Sequence, residues 1–427
     1  MKIEEIYGRY LETRSVSTDT RQIRPGSIFF ALRGDKFNGN EFAFQALEKG
    51  ASVAIVDDPA VAKDERIVLV PDVLKALQDL ATYHRRKLTI PVIGLTGSNG
   101  KTTSKELVSA VLEKKYNVYA TKGNLNNHIG VPLTILSIEP THEIAVVEMG
   151  ANHLGEIALL CQISQPTHGF ITNIGKAHIG TFGGFENIIR AKSELYQFLI
   201  ETNGRVFINS QDEILANMAK RFKNPMFYPA QGDYYHAKFL SADPFVNLET
   251  ENGDEVHTQL LGRYNFDNIV TALCIGKFFG VPDKDANAAV SGYSPKNMRS
   301  QIIKRDTNTI ILDAYNANPS SMKAAIENLA EMKGERKVLI IGDMFELEEE
   351  AEKEHQQLGK LIQSLQFNEV YLCGKLIKVA QLEMPSAKHF STREDLIEAL
   401  KENKFLDATI LIKASRGIGL ETIVEHI

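Results

Sequence analysis

Residues 94–103, with the sequence GLTGSNGKTT, constrain the fold of this chain more than any other stretch. An apolar run at 90–95 precedes them, and a run compatible with a helix follows at 103–114. A strand, a glycine-rich turn, Lys-Thr and a helix in this order are typical of a phosphate-binding loop, because backbone N–H groups and the helix N-terminus then face phosphate oxygens. Leu95 stands where the general pattern has glycine. The alternative is a glycine-rich turn with a solvated lysine and no ligand, but the strand and helix on either side favour an ATP-binding loop.

Two side chains of this loop carry specific chemistry. Lys101 is expected to reach the terminal phosphates of ATP, and the Thr102 hydroxyl is expected to ligate Mg²⁺. The loop residues predicted to contact the nucleotide are Gly97, Ser98, Asn99, Gly100, Lys101, Thr102 and Thr103.

The chain has 427 residues, too many for one ordinary hydrophobic core, and its strand pattern predicts three α/β domains. Residues 1–86 form a small α/β domain, and 85–91 are interpreted as a linker. Residues 87–298 alternate strands and helices, which predicts a mostly parallel sheet, with short antiparallel strands at 227–259. Residues 299–427 repeat the βα pattern of a doubly wound, Rossmann-like domain without GxGxxG, and 346–360 are interpreted as a helix with a solvated acidic face.

Composition excludes several classes of protein. The net charge is −6 and no basic face stands out, so we expect no nucleic acid partner. No apolar run approaches the ~18 residues of a membrane span, and the acidic, amphipathic start is not typical of a signal peptide. Three distant cysteines, Cys161, Cys274 and Cys373, indicate reduced thiols. We therefore expect a cytoplasmic protein that does not insert into membranes.

Several polar residues follow predicted strands, and the carboxyl ends of parallel strands meet at one edge of a sheet. Glu148 comes directly after the apolar residues 144–147 and is interpreted as a Mg²⁺ ligand or a base, with a structural role as the alternative. His178 is a weaker candidate, because a loop histidine is often a plain hydrogen-bonding group. Residues 313–319 (DAYNANP) form a ligand loop or an Asx-rich turn. Residues 17–21 (STDTR) cap local structure or bind a nucleotide-linked ligand.

Taken together, the motifs resemble those of the Mur ligase family, the ATP-dependent amide ligases that build the peptidoglycan stem peptide. The resemblance covers essentially the whole chain, and its motifs occur in the family's order: TGSNGKT, residues 148–151, 177–178, 191–194, 262–268 and 313–316. It implies a UDP-sugar-binding first domain, a central ATP-binding domain and a C-terminal domain that binds the amino substrate.

Residues 123–134, 315–319 and 19–21 resemble the family members that join D-alanyl-D-alanine to UDP-N-acetylmuramoyl-tripeptide through an acyl phosphate. The alternative within the family adds the third stem residue, but its Asp-Asn-Pro-Arg-like motif is not found. A nucleotide-dependent regulator is more remote, and the guanine-reading Asn-Lys-x-Asp of a GTPase is absent. The resemblance leaves lysine and diaminopimelate both open as the third residue of the tripeptide. We expect a monomer.

The resemblance also implies roles for single residues. Glu148 and His178 would serve Mg²⁺, two ions in all. Lys192, which taken alone reads as an exposed helix residue, matches a lysine that is carbamylated in many relatives and then ligates Mg²⁺. Adenine would lie near Asn265 and Asn268, and the γ-phosphate and ribose near Arg299 and Asp313. Tyr264 replaces a histidine of many relatives, which weakens any role for that side chain. The substrate residues implied are Asp19, Thr20 and Arg21 for the UDP-sugar, Asn316 and Asn318 for D-alanyl-D-alanine, and Asn124, Asn126, Asn127, Lys413, Ser415 and Arg416.

Overall fold

A computed structural model describes residues 2–296 and 298–427. The first unit has four parallel strands in the order β1-β2-β5-β6, and their apolar residues form its core. Its elements are α1 (Ile3–Thr13), β1 (Val16–Ser17), β2 (Ile28–Phe30), β3 (Arg33–Gly34), β4 (Phe37–Asn38), α2 (Ala43–Glu48), β5 (Val53–Val56), β6 (Ile67–Leu69) and α3 (Val73–Lys87).

The central unit is built on a six-stranded parallel sheet in the order β12-β11-β10-β7-β9-β8, beside a small antiparallel sheet β13-β14-β15. Its elements are β7 (Val92–Thr96), α4 (Lys101–Leu112), β8 (Val118–Ala120), α5 (Gly130–Leu136), β9 (Ile144–Glu148), α6 (Glu156–Ser164), β10 (His168–Ile171), α7 (Ile179–Phe182), α8 (Phe185–Glu201), β11 (Arg205–Asn209), α9 (Glu213–Ala219), β12 (Met226–Tyr228), β13 (Ala237–Ala242), β14 (Phe245–Thr250), β15 (Glu255–Leu261), α10 (Asn265–Phe278) and α11 (Asp283–Gly292).

The C-terminal unit has a six-stranded sheet in the order β16-β17-β21-β18-β19-β20, parallel except for the antiparallel edge pair β16-β17. Its elements are β16 (Gln301–Arg305), β17 (Asn308–Leu312), α12 (Pro319–Glu331), β18 (Arg336–Gly342), α13 (Ala351–Leu365), β19 (Glu369–Cys373), β20 (Lys388–Phe390), α14 (Arg393–Glu402) and β21 (Ala408–Lys413). Short 3-10 turns lie at Thr20–Gln22, Gly39–Phe42, Glu348–Glu350, Ile377–Leu382, Arg416–Ile418 and Leu420–His426.

The α/β architecture predicted from the sequence is confirmed, with two differences in detail. The segment 227–259 begins with a parallel strand, β12, before the antiparallel strands, because Met226–Tyr228 pairs with β11. The predicted linker at 85–91 begins inside helix α3, whose Arg85 is buried and donates to the backbone carbonyls of Ser164 and Gln165. Helix α3 is thereby attached to the central unit.

The acidic segment 346–360 is mostly solvated, as predicted, with Glu346, Glu348, Glu349 and Glu352 exposed. Its helix begins at Ala351, and Glu354 on that helix is buried against the central unit rather than solvated. Within the described parts of the chain, none of the helices combines the length and the apolar character that crossing a membrane requires. The three cysteines are buried and free, with no disulfide among them.

Candidate functional site

A cleft of about 940 Å³ lies between the central and C-terminal units, where the carboxyl ends of their parallel strands face each other. The central unit contributes the phosphate loop, Glu148 and the first turn of α10, and the C-terminal unit contributes the loop after β17 and the last residue of β21. Most of the residues predicted for the site lie along this one cleft: Ser98, Asn99, Gly100, Lys101, Thr102, Thr103, Asn124, Asn126, Asn127, Glu148, His178, Asn265, Asn268, Arg299, Asp313, Asn316, Asn318 and Lys413.

The loop between β7 and α4 is held in a conformation that needs glycine. Gly97 and Gly100 have φ values of 145° and 76°, and a Cβ atom on Gly97 would collide with the Thr172 hydroxyl. The backbone N–H of Asn99 donates to Asn173 Oδ1 at 3.1 Å, and Thr172 Oγ1 donates to the Asn99 carbonyl at 2.6 Å. Thr172 and Asn173 thus support the loop from the end of β10. No role was predicted for these two residues from the sequence, although their position at a strand end was a signal.

Lys101 begins helix α4 and folds back over the loop. Its ammonium donates to the carbonyls of Gly97 and Ser98, at 2.7 and 3.2 Å. Burial lowers the pKa of Lys101, the Glu148 carboxylate opposes this shift, and Arg299 of the C-terminal unit adds to it. Two cations from different units therefore converge where the loop would hold phosphate oxygens.

Glu148 ends strand β9 and is 2% exposed. Its two carboxylate oxygens accept hydrogen bonds from neutral groups, the Thr102 hydroxyl at 3.0 Å and the Asn126 amide at 2.8 Å. No cation neutralises this carboxylate by direct contact among the described residues. A carboxylate and a hydroxyl side by side next to a phosphate loop are ligands that suit Mg²⁺.

His178 lies beside the same edge with φ 57°, a left-handed conformation that is uncommon for a residue other than glycine. Its Nδ1 atom lies 2.5 Å from Glu346 Oε2 of the C-terminal unit. The two atoms are within pairing distance, although their alignment falls outside hydrogen-bond geometry, and the contact lowers the pKa of the Glu346 carboxyl. This histidine therefore has a partner in another domain.

Lys192 is in the middle of helix α8, where its position alone predicted solvent exposure. In the structure it is 1% exposed, its ammonium lies 3.4 Å from the Ala151 carbonyl and 5.3 Å from the centre of the Phe182 ring. Burial, reinforced by the charge of Lys101, lowers the pKa of Lys192 to about 7. A substantial fraction of its amine is therefore neutral near pH 7, the form that reacts as a nucleophile.

The start of helix α10 forms the wall of the cleft beyond the loop. Asn268 accepts from the Ser104 hydroxyl at 2.9 Å and donates to Asn265 at 2.8 Å, and Asn265 donates to the Leu261 carbonyl at 2.7 Å. Both amides are buried, and Asn268 would meet any side chain at Gly100. Tyr264, whose role the sequence had discounted, lines the cleft with its hydroxyl 3.0 Å from Ser300 Oγ.

The C-terminal unit presents its own carboxylate, Asp313, which follows β17. Asp313 Oδ2 accepts from the buried Lys413 ammonium at 2.5 Å, and Oδ1 accepts from the Ser300 N–H at 3.2 Å. Arg299 stacks on the ring of Tyr315 at 3.8 Å, and Arg416 approaches the same ring at 5.1 Å. Asp313 thus pairs with Lys413, whereas among the described residues no carboxylate pairs with Arg299.

The asparagines predicted to contact substrates divide into free and engaged groups. Asn316 is exposed in the cleft, and among the described residues its side chain accepts only from the neighbouring Ala317 N–H, at 2.9 Å. Asn318 caps helix α12 by accepting from Ser321 N–H and donates to Asn99 Oδ1 of the phosphate loop at 2.8 Å. In the central unit, Asn127 accepts from the Ile129 and Gly130 N–H groups before α5, Asn126 contacts Glu148, and Asn124 is exposed.

Seven predicted site residues do not line this cleft. Two of them, Gly97 and Lys192, are described above, and the other five are Asp19, Thr20, Arg21, Ser415 and Arg416. Asp19 and Arg21 pair with each other at 2.7 Å on the first unit, and this contact lowers the pKa of Asp19 to about 2. Thr20 donates to Gln45 at 3.0 Å. Ser415 is buried and accepts from the Phe345 N–H at 2.9 Å, and Arg416 packs on Tyr315.

The donor set fits Mg²⁺ bound together with a nucleotide. No cluster of three or more His, Cys, Asp or Glu side chains that could hold a metal occurs in the described ranges 2–296 and 298–427. Mg²⁺ is usually held by one or two carboxylates, waters and substrate phosphates rather than by a complete protein cage. Glu148 and Thr102 supply such a partial set, and the phosphates would complete it.

Comparison with known proteins gives matches along the whole chain. Residues 12–85, 95–276 and 298–416 match the Mur ligase family, catalytic domain, the Mur ligase middle domain and the Mur ligase, glutamate ligase domain, respectively. The UDP-N-acetylmuramoyl-tripeptide–D-alanyl-D-alanine ligase of Bacillus subtilis (strain 168) is 38% identical over 424 residues, 96% of this chain and 92% of that protein.

Two solved structures agree with this match. MurF from Acinetobacter baumannii superposes with a TM-score of 0.88 at 32% identity and covers 96% of this chain and 92% of its own. MurF ligase from Thermotoga maritima, in complex with ADP, gives a TM-score of 0.86 at 27% identity and covers 97% of both chains.

Proposed function

The chain belongs to the Mur ligase family, and from this premise we propose that it joins D-alanyl-D-alanine to UDP-N-acetylmuramoyl-tripeptide with consumption of ATP. The observation that carries the proposal is a single cleft shared by a phosphate loop and an amide-rich loop from the next domain. The relative from Bacillus subtilis bears the name of this activity at 38% identity over nearly the whole chain. A similar ligase from Thermotoga maritima was solved with ADP, which supports ATP as the nucleotide.

The reaction needs an activated carboxylate, because a free peptide carboxylate is a poor acyl donor. In the proposed sequence, a carboxylate oxygen of the tripeptide attacks the γ-phosphorus of ATP, so that an acyl phosphate forms and ADP leaves. The dipeptide amine then attacks the acyl carbon, loses a proton and expels inorganic phosphate. The negative charge that develops on the transferring phosphoryl group is stabilised by cations already in position. Lys101 and Arg299 supply this charge from the two sides of the cleft.

We propose that Glu148, Thr102 and His178 hold Mg²⁺ when the nucleotide is bound. The bound ion would neutralise phosphate charge and polarise the phosphoryl oxygens. Glu148 suits this role because its oxygens accept from the neutral Thr102 and Asn126 groups and, among the described residues, pair with no cation. The buried, partly neutral amine of Lys192 can attack CO₂ and lose a proton, which would convert a buried cation into a carbamate anion.

The remaining roles follow the separate domains. Asp19, Thr20 and Arg21 on the first unit are proposed to contact the UDP-sugar, Asn265 and Asn268 the adenine side, and Asn316 the D-alanyl-D-alanine. Domain bounds of 1–86, 87–298 and 299–427 are retained as proposals, as are a monomeric state and a cytoplasmic location. Both proposed substrates are charged and one of them carries a nucleotide, which is consistent with a cytoplasmic location.

The proposal is tested by incubating the purified protein with UDP-N-acetylmuramoyl-tripeptide, D-alanyl-D-alanine and Mg-ATP. The expected result is one ADP and one phosphate for each pentapeptide product detected by mass spectrometry. Phosphate release that ignores the dipeptide contradicts the ligase activity. A parallel reaction with UDP-N-acetylmuramoyl-dipeptide and either lysine or diaminopimelate tests the ligase for the third residue.

A matched pair of lysine variants tests the role of the loop. Lys101→Ala should abolish product formation while the thermal unfolding curve stays cooperative, because the phosphates lose their cation. Lys114→Ala removes an exposed lysine just beyond the same helix and should behave as the parent. Near-normal turnover in Lys101→Ala would exclude this loop as the ATP site.

A further inference from the structure

Residues 175–180 of the central unit are held along their length by the C-terminal unit. The Lys176 N–H donates to Ser320 Oγ at 3.0 Å, and the Lys176 ammonium pairs with the buried Glu354 carboxylate at 2.6 Å. The Gly180 N–H donates to the Glu346 carbonyl at 3.3 Å. This segment, 175–180, contains His178, so the position of that histidine depends on contacts from another domain.

Gly180 shows how closely the two units approach. A Cβ atom added there would lie 2.5 Å from Glu348 Cγ and 2.6 Å from the Leu347 carbonyl carbon. Gly180 lies within helix α7 without a positive φ, so glycine is required there by the contact and not by the local backbone. The loop 346–348 therefore lies directly on the segment that carries His178.

From these contacts we propose that Glu346 is a positioning residue, which orients the His178 imidazole for the metal site once the C-terminal unit is in place. The carboxylate approaches Nδ1, which leaves Nε2 as the ring atom available to a metal ion. Histidines that ligate metals commonly pair their other ring nitrogen with a carboxylate, which sets the tautomer and the ring orientation. Here the carboxylate comes from a different domain, so the metal site is completed only when both domains are together.

This inference rests on the proposed role of His178 in Mg²⁺ binding. It adds a residue, Glu346, that the sequence had placed on a solvated acidic face. Glu346 contributes two separate features: its carboxylate charge next to His178 and its backbone contact with Gly180. The positioning role depends on the charge, and a general structural role depends on the backbone contact. Two variants remove them one at a time: Glu346→Gln keeps the backbone contact to Gly180, and Gly180→Ala keeps the carboxylate.

The test uses Mn²⁺ in place of Mg²⁺, because Mn²⁺ binding to the full-length protein with ADP can be followed by electron paramagnetic resonance. Amide hydrogen exchange at Lys176 and Gly180 reports on the domain contact independently of activity. Glu346→Gln should raise the Mn²⁺ dissociation constant about tenfold or more without faster exchange at Lys176. Gly180→Ala should raise both the Mn²⁺ dissociation constant and the exchange rate at Lys176, because the loop 346–348 must shift. Glu349→Gln, an exposed acid of the same segment, should match the parent in both.

His178→Ala separates this inference from the proposal beneath it. If His178→Ala binds Mn²⁺ as the parent does, the metal role of His178 is wrong and the inference fails with it. If His178→Ala binds weakly and Glu346→Gln binds normally, the metal role stands and the positioning role is overturned. If Glu346→Gln does not fold, normal Mn²⁺ binding by Gly180→Ala together with faster exchange at Lys176 overturns the positioning role.

Discussion

Two carboxylates, Glu148 and Asp313, lie at the carboxyl ends of strands in different sheets and line the same cleft, yet their surroundings differ. Glu148 accepts from the neutral groups of Thr102 and Asn126. Asp313 pairs with the Lys413 ammonium at 2.5 Å. A carboxylate that contacts only neutral donors can still attract an incoming cation. A carboxylate that is already paired with a lysine attracts a second cation less strongly. Under the proposed function, Glu148 is therefore suited to metal binding, whereas Asp313 pairs with Lys413 and links the loop after β17 to the end of β21.

Breaking the Asp313–Lys413 pair should have the largest effect on stability. Asp313→Asn leaves the Lys413 ammonium, which is 2% exposed, without its anionic partner. Removing one partner of a buried pair costs about 3–5 kcal/mol, so the urea midpoint should fall sharply. The double variant Asp313→Asn/Lys413→Met should recover most of the loss. Lys353→Met breaks an exposed pair with Glu350 and should leave the midpoint unchanged. An equal loss in the single and double variants would contradict the pairing.

Glu148→Gln should instead reduce activity and leave the stability of the fold nearly unchanged. The amide keeps the size of the side chain but lacks its charge, so kcat/KM should fall about 100-fold or more while the protein stays folded. Turnover should be measured over a range of Mg²⁺ concentrations, since higher Mg²⁺ is expected to restore part of the activity. If Asp313→Asn lost as much activity as Glu148→Gln at full folding, the contrast between the two carboxylates would be wrong.

A third carboxyl of the cleft, Asp267, extends the comparison to the dependence of stability on pH. Burial raises its pKa to about 6, with the Asn209 hydrogen bond opposing the shift. The folded state therefore holds a proton that the unfolded state releases above about pH 4. The stability from this proton is present below pH 4 and is lost as the pH rises through about 6. Relative to Asp267→Asn, the parent should lose stability between about pH 4 and pH 6 in urea unfolding and change little above that range. Parallel profiles for the two proteins would exclude the raised pKa.

The smallest expected effects concern the two asparagines that follow Asp313. Asn316→Ala should raise the KM for D-alanyl-D-alanine up to about tenfold, the value of one hydrogen bond, and leave the KM for ATP unchanged. Asn318→Ala should instead cost about 1 kcal/mol of stability through the lost helix cap and raise the KM for ATP through the lost contact to Asn99. A rise in the dipeptide KM for both variants would support the dipeptide contact predicted for Asn318 from the sequence.

Much of the fold could be predicted from the sequence because its signals are local. Apolar runs of four to six residues that end in a polar residue marked the strands, and the glycine-rich loop marked the site where they converge. Boundaries were less accurate where packing decided them, as at Arg85, which extends helix α3 to reach the carbonyls of the central unit. Strand β12 was assigned to the antiparallel part because three residues of sequence do not reveal their partner.

The sequence by itself determined the phosphate loop, the order of α/β domains and the presence of charged residues at strand ends, because these depend on backbone conformation and on apolar periodicity. Only the tertiary structure decided which charges are free. Glu148 and Asp313 look alike in the sequence, and their difference comes from Lys413, one hundred residues beyond Asp313. Lys192 looked exposed and is buried, and Glu346 looked solvated and meets His178. Burial and pairing depend on residues far apart in the chain, and no local pattern encodes them.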